Sequence, residues 1–381
     1  MKKAYTFIVL LFFYQLAIAQ SDSTSGKNDK QDSDTLSKFD RFNQKGEALF
    51  KYLPVPIYSH TLEAGDIFGL AKFNLIDLYK GDTITRPSKI SGVFTTSTKG
   101  RINFSLSTEF ILKDNKYIFL SYINYKKTPE FVLGIGNDVS KADKEEISNT
   151  RIRFNIVALR KISQYFYVGP GFDISNYYNM KVDSNSIMKK EGALGLTGGL
   201  NVGFGLGAAF DSRDNRYNST KGAYIILTST FYGSAIGSEY TFSKVNLDAR
   251  KYFNPWFKHV IAFQVTSNYS SGDVPYYNLA LMGGDAQMRG YYEGAIRDKV
   301  LIDGQVEYRM PIWNIFGIAG WVGTGRVAPS YSQMELKNLW LSYGLGARIR
   351  VDSKHNTNLR IDFGFGQEGA NAFIIGFAEA F

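Results

Sequence analysis

Apolar and polar residues alternate with a period of two through most of the chain, from about residue 61 to residue 381. In the segment RINFSLS, Ile102, Phe104 and Leu106 share one face while Arg101, Asn103, Ser105 and Ser107 share the other. The same rule runs through 151–156, 342–351 and 359–365, with Arg348 and Arg350 on a polar face. Such alternation predicts β-strands with one apolar and one polar side. Turn residues divide the pattern into about sixteen strands, the first at 62–79, the fifth at 130–138 and the last at 371–381. An even count returns both chain ends to one side, and every second connection is then short: 98–100, 163–164, 254–255, 313–314 and 353–356. The intervening connections, including 139–148, 179–191 and 272–299, are longer. Alternation alone fits a soluble sandwich, whose polar faces meet water, as well as a transmembrane barrel, whose polar faces line a lumen.

The N-terminus favours the barrel. Lys2 and Lys3 precede an apolar stretch from Phe7 to Leu16, and Ala17, Ile18 and Ala19 present a small-residue cleavage site. This predicts a signal peptide over 1–19, since the apolar core is shorter than the roughly 20 residues of a spanning helix. Residues 20–61 read as a polar tail or linker, with a short helix through Leu36, Phe39 and Phe42 as the alternative, and 62–381 read as the barrel domain. Beyond the leader no apolar run reaches 18 residues, so no spanning helix is expected.

Composition sharpens this picture. The chain has 25 Tyr, 29 Phe and 37 Gly, yet its mean hydropathy is only -0.19. A barrel places apolar residues on alternate positions only, and aromatic pairs such as Tyr177–Tyr178 and Tyr276–Tyr277 suit interfacial girdles. No cysteine is present, which excludes disulfide scaffolds, thiolate metal sites and cysteine nucleophiles. Three scattered histidines, His60, His259 and His355, leave little material for a metal site, so no metal or cofactor is expected. Loss of Lys2 and Lys3 with the leader takes the formal net charge from +9 to +7; without a dense basic tract, nucleic acid is not an expected partner.

The last strand carries Phe373, Ile375, Phe377 and Phe381 on one face, which places the terminal Phe at the membrane border and looks like the C-terminal targeting signal of outer-membrane barrels. Three further strings extend the likeness. Gly283-Gly284 and Arg289-Gly290-Tyr291 lie on the longest loop; Glu307 and Pro311 follow on the next strand; Phe210, Asp211, Ser212, Arg213, Asp214 and Asn215 precede Lys221-Gly222 at a turn. In this order, over 62–381, they resemble the bacterial surface antigen superfamily of outer-membrane barrels, the BamA/TamA-like proteins and two-partner secretion transporters. The resemblance implies that the long loop folds back into the lumen and that Arg289 pairs with wall carboxylates. Period two places Asp303, Gln305, Glu307 and Arg309 on the luminal face, so Glu307 is the expected partner, with Gly290 allowing a tight tip and Tyr291 packing on the wall. It also implies a periplasmic location for the turn of Asp211, Arg213, Asp214, Asn215 and Gly222. Gly323 stands where the family usually has an Asp, so a second carboxylate for Arg289 must come from elsewhere.

Protein-handling members of that superfamily carry periplasmic POTRA domains of roughly 75 residues, and the forty or so residues of 20–61 do not fit one. The expectation is an integral protein of a Gram-negative outer membrane that moves or inserts polypeptide or another substrate. Its expected partners are membrane lipid, a periplasmic accessory protein in place of the POTRA domains, and a possible second copy of itself. A passive channel is the alternative. An enzyme ranks low: there is no G-x-S-x-G elbow, no histidine falls on an outer rim, and the glycines of 203–207 lack a phosphate-loop Lys.

Overall fold

In the computed structural model, which describes residues 38–61 and 65–381, the chain is an all-β antiparallel barrel built on a seventeen-stranded sheet. The expected signal peptide and the first part of the expected tail lie outside the described residues. After a helix, α1 (Lys38–Tyr52), come β1 (Val55–Thr61), β2 (Gly65–Ile76), β3 (Ser88–Ser97), β4 (Ile102–Ile111), β5 (Tyr117–Lys127), the three-residue β6 (Glu130–Val132), β7 (Glu145–Lys161), β8 (Phe166–Lys181), β9 (Gly199–Asp211), β10 (Gly222–Tyr232), β11 (Phe242–Phe253) and β12 (Val260–Gly272). A small hairpin, β13 (Ala280–Leu281) and β14 (Arg297–Asp298), separates these from β15 (Val300–Trp313), β16 (Phe316–Ala328), β17 (Trp340–Asp352), β18 (Thr357–Gly366) and β19 (Asn371–Phe377). Leaving aside β6 and the hairpin, each strand pairs antiparallel with the next in a continuous meander.

The pleat turns the period-two pattern inside out relative to a soluble protein. Along β17, Leu341, Tyr343 and Leu345 point outward, whereas Ser342, Arg348 and the glycines between them point inward. Leu206 and Leu345 are each 70% exposed, a placement that suits hydrocarbon rather than water.

Two expectations for the front of the barrel are corrected. The sheet begins at Val55 rather than 62, because Val55–Thr61, read as tail, pairs residue for residue with Gly65–Ala71. Seven residues containing Pro56 and His60 give too weak an alternation to be read as a strand. Conversely, 130–138 does not span. Gly134 and Gly136 adopt φ of 123° and 113°, which ends the strand after Val132 and turns the apolar run into a loop. There Val132 packs with Ile147, Tyr177, Tyr232, Tyr276 and Tyr277 in an apolar cap over the barrel mouth. The two errors cancel in the strand count but invert the front connections. The turn at 98–100 lies at the end with the long loops, and 77–87 lies with the short turns, where Arg86 reaches Asp211 at 2.9 Å.

Helix α1 sits at the short-turn end. Lys72 of β2 donates to the main-chain oxygens of Phe50 (2.9 Å) and Lys51 (2.7 Å), capping carbonyls that the last turn leaves unpaired. Phe50 also meets Phe377 of β19 edge-on, and Phe73 of β2 stacks on Phe377 with centroids 5.2 Å apart. Side chains of the helix, the second strand and the last strand thus meet at the barrel seam.

The turn at 353–356 carries a pH-dependent clasp. His355 Nδ1 lies 2.7 Å from Asp352 Oδ2 and its Nε2 3.3 Å from Asp77 Oδ1, while Lys354 also pairs with Asp77. The hydrogen bond to Asp352, partly opposed by burial, raises the His355 pKa. A raised folded pKa means that the clasp's stabilisation is complete below the unfolded value of about 6.5 and fades as pH rises through the folded value. Amide exchange in 353–356 should therefore speed up as pH is raised through that window, after correction for intrinsic rates, and His355→Gln should abolish the step.

Candidate functional site

The long connection between β12 and β15 does not project outward. Its neck is the β13–β14 hairpin, with Ala280 opposite Asp298 and Leu281 opposite Arg297. From there the tip descends along the inner wall and places Arg289 with no solvent exposure. Gly290 has φ of 120°, and a Cβ there would stand 2.8 Å from the Phe365 backbone. The strand is equally bare: a Cβ on Gly364 would meet the Arg289 carbonyl carbon at 2.7 Å, and one on Gly366 the Tyr291 ring at 2.4 Å. Glycines on both sides thus let the loop lie against β18. Ser342 donates to the Arg289 main-chain oxygen (2.6 Å), and the Tyr291 hydroxyl donates to Leu341 O (2.6 Å) while accepting from Gln367 N (2.7 Å).

The guanidinium is held on several sides. Arg289 Nη2 lies 2.6 Å from Glu307 Oε2, and Nη1 donates to Asp362 Oδ2 at 2.8 Å. Gln305 Oε1 accepts at 3.3 Å, and the Trp321 ring lies under the cation at 3.7 Å. Asp362, on β18, supplies the second carboxylate that Gly323 cannot; Gly323 itself packs beside Gln305. Sequence reasoning missed Asp362, although it lies inward with Arg360 in the alternating segment 359–365.

The two acids serve other cations. Arg309 donates to Glu307 at 2.7 Å, and Arg348 and Arg360 donate to Asp362 at 2.6 and 2.9 Å. Arg348 and Arg309 also approach Glu379, at 2.7 and 3.5 Å. A buried charge alone is costly, so these groups hold together only as a set.

Glu379 overturns the reading of the C-terminus. Phe373 and Ile375 face outward, but the strand ends at Phe377, and Ala378 has φ of 65°. Glu379 and Phe381 then turn into the lumen. Phe381 is buried against Tyr252, Val260 and Ala262, and its main-chain oxygen accepts from Arg309 at 2.8 Å. Its ring is not at the membrane border. The charge of Glu379 drives the bend, since it finds two guanidiniums inside and would find hydrocarbon or interface outside.

The residues of 210–222 form a second cluster at the short-turn end. Asp211 pairs with Arg213 (2.9 Å), Arg216 (2.5 Å) and Arg86 (2.9 Å). Asp214 accepts from the backbone of Asn215 and Thr220, and Asn215 donates to His355 O at 2.9 Å. Gly222 takes φ of 99°, where a Cβ would strike Ser212 O at 2.3 Å. This cluster ties three turns together and lies apart from Arg289. Among the described residues no group of His, Asp and Glu has the arrangement of a metal site.

An antiparallel barrel with an inward-folded, charge-locked loop defines a class of outer-membrane protein. A family model for the Omp85 superfamily domain matches residues 86–380, and the chain belongs to that superfamily. Its fold is similar to that of BamA from Haemophilus ducreyi lacking POTRA domains 1–3, at 11% identity and a TM-score of 0.50, over 89% of this chain and 76% of that one. It is similar also to CdiB from Acinetobacter baumannii, at 12% identity and a TM-score of 0.50, over 85% of this chain. The chain spans 57% of the length of CdiB. No curated protein matches the sequence.

Proposed function

We propose that this barrel moves or inserts a polypeptide at the outer membrane, with residues 281–299 as a plug that leaves its seat during transit. One observation carries the reading. The loop is docked on β18, the strand paired with the last strand, through Gly364, Gly366 and Asp362. Movement of the final hairpin at the seam therefore displaces the plug's seat. Membership of the Omp85 superfamily supports the same direction. A periplasmic accessory protein that captures the client fits this reading, and a pull-down from periplasm with the mature chain would retain it.

Conductance tests the proposal. In planar bilayers the wild type should be closed for most of the time, and Arg289→Ala should produce frequent, larger openings. Steady large openings in the wild type, unchanged by Arg289→Ala, would instead mark a passive channel and end the translocase reading.

A further inference from the structure

The outward face of β2 changes character towards the short-turn end. Phe68 and Leu70 are exposed on that face, and the next two residues on it by period two are Lys72 and Asn74. Both are held by α1. Lys72 caps the carbonyls of the helix's last turn, and Asn74 Nδ2 donates to Lys51 O at 3.1 Å. The register shows why the helix is needed there. β1 follows β2 only as far as Val55 opposite Ala71, so among the described residues Lys72–Ile76 pair with β3 alone. On the other side of the seam β19 pairs with β18, and no register joins it to β1 or β2 among the described residues.

Helix α1 bridges that gap. Phe50 meets Phe377, the last residue of β19, and Phe377 stacks on Phe73 of β2. Further along the helix, Glu47 accepts a hydrogen bond from Ser353 in the turn between β17 and β18. One helix of 15 residues therefore touches β2 on one side of the seam and the final strands on the other. These contacts can be released. The hydrogen bonds of Asn74 and Ser353 lie at the surface, where the net gain of each is small. Undocking leaves no charge buried, because Lys72 can extend its ammonium to interfacial water. Leu53 and Pro54 separate the helix from β1, and Pro54 cannot continue it, so α1 can lift while β1 stays paired with β2.

We propose that α1 is a releasable strap that holds the short-turn end of the seam shut. Docked on Lys72, Asn74, Phe377 and Ser353, it fixes the final hairpin against β2; lifted, it frees that hairpin to move away. The inference rests on the geometry of the seam and not on polypeptide transit or on the plug, so it stands or falls independently of the translocase reading.

The test measures the width of the seam. The chain has no cysteine, so introduced pairs label uniquely. Spin labels on Leu70→Cys of β2 and Ile375→Cys of β19, both outward-facing, report the distance across the seam in the full chain folded in lipid nanodiscs. A second pair, Val265→Cys of β12 and Val322→Cys of β16, reports the wall away from it. With the native helix the seam pair should give one dominant distance. Phe50→Ala, and separately Lys72→Gln/Asn74→Ala, should raise the longer-distance population about fivefold, the shift expected from losing one hydrogen bond or contact of ordinary net strength. The wall pair should not change. An unchanged seam distribution in both variants overturns the proposal. So does equal broadening of the wall pair, which would mean that α1 stabilises the whole barrel and does not strap the seam. Should these variants lose wild-type heat-modifiability, Glu47→Ala, at the other anchor of the helix, must raise the longer-distance population, or the proposal fails.

Discussion

Arg289→Ala should lower the stability of the folded barrel by about 3–5 kcal/mol, the usual cost of removing one partner from a buried ion pair. Glu307 and Asp362 would lose a shared cation while remaining fully buried. Arg309, Arg348 and Arg360 remain beside them, which favours the lower part of that range. Arg289→Lys should recover only part of the loss. An ammonium cannot engage both acids with a planar fork, and it lies less favourably over Trp321. Urea unfolding followed by loss of heat-modifiable mobility would measure both. A loss below about 1 kcal/mol for Arg289→Ala, the level of an exposed pair, would show that the loop is not locked.

The sequence made the barrel legible because lipid and lumen impose opposite chemistry on alternate residues. That rule acts locally and shows wherever a strand is long, as in β15 or β17. It failed at β1, whose seven residues owe their place to pairing with β2, and at 130–138, where two glycines matter more than the apolar run. The site was legible in part for the same reason. Arg289, Glu307 and the inward face of β15 follow from motif and period. Asp362 lies 73 residues from Arg289, and its role depends on which strand stands opposite the loop, a tertiary fact. Likewise, Arg213 and Arg216 reach Asp211 from within its own turn, whereas Arg86, 125 residues away, arrives from a separate turn that inspection of the sequence could not pair with it.

The chain end gives the second large effect, because the two readings of Phe381 predict different outcomes. On a lipid-facing strand, Phe373, Ile375 and Phe381 would be similar in their sensitivity to truncation. Inside the lumen, Phe381 fills a site made by Tyr252, Val260 and Ala262, and its loss leaves a cavity. Phe381→Ala should therefore cost about 3 kcal/mol, the low end for a buried Phe. Phe373→Ala, on a surface where lipid replaces the missing ring, should cost much less. A Trp at each position adds a readout independent of stability. Brominated acyl chains should quench Phe373→Trp strongly and Phe381→Trp weakly, because only the first ring faces hydrocarbon. Equal quenching would return Phe381 to the membrane face. It would also free Glu379 from Arg309 and Arg348, leaving Glu307 and Asp362 to balance those cations without it.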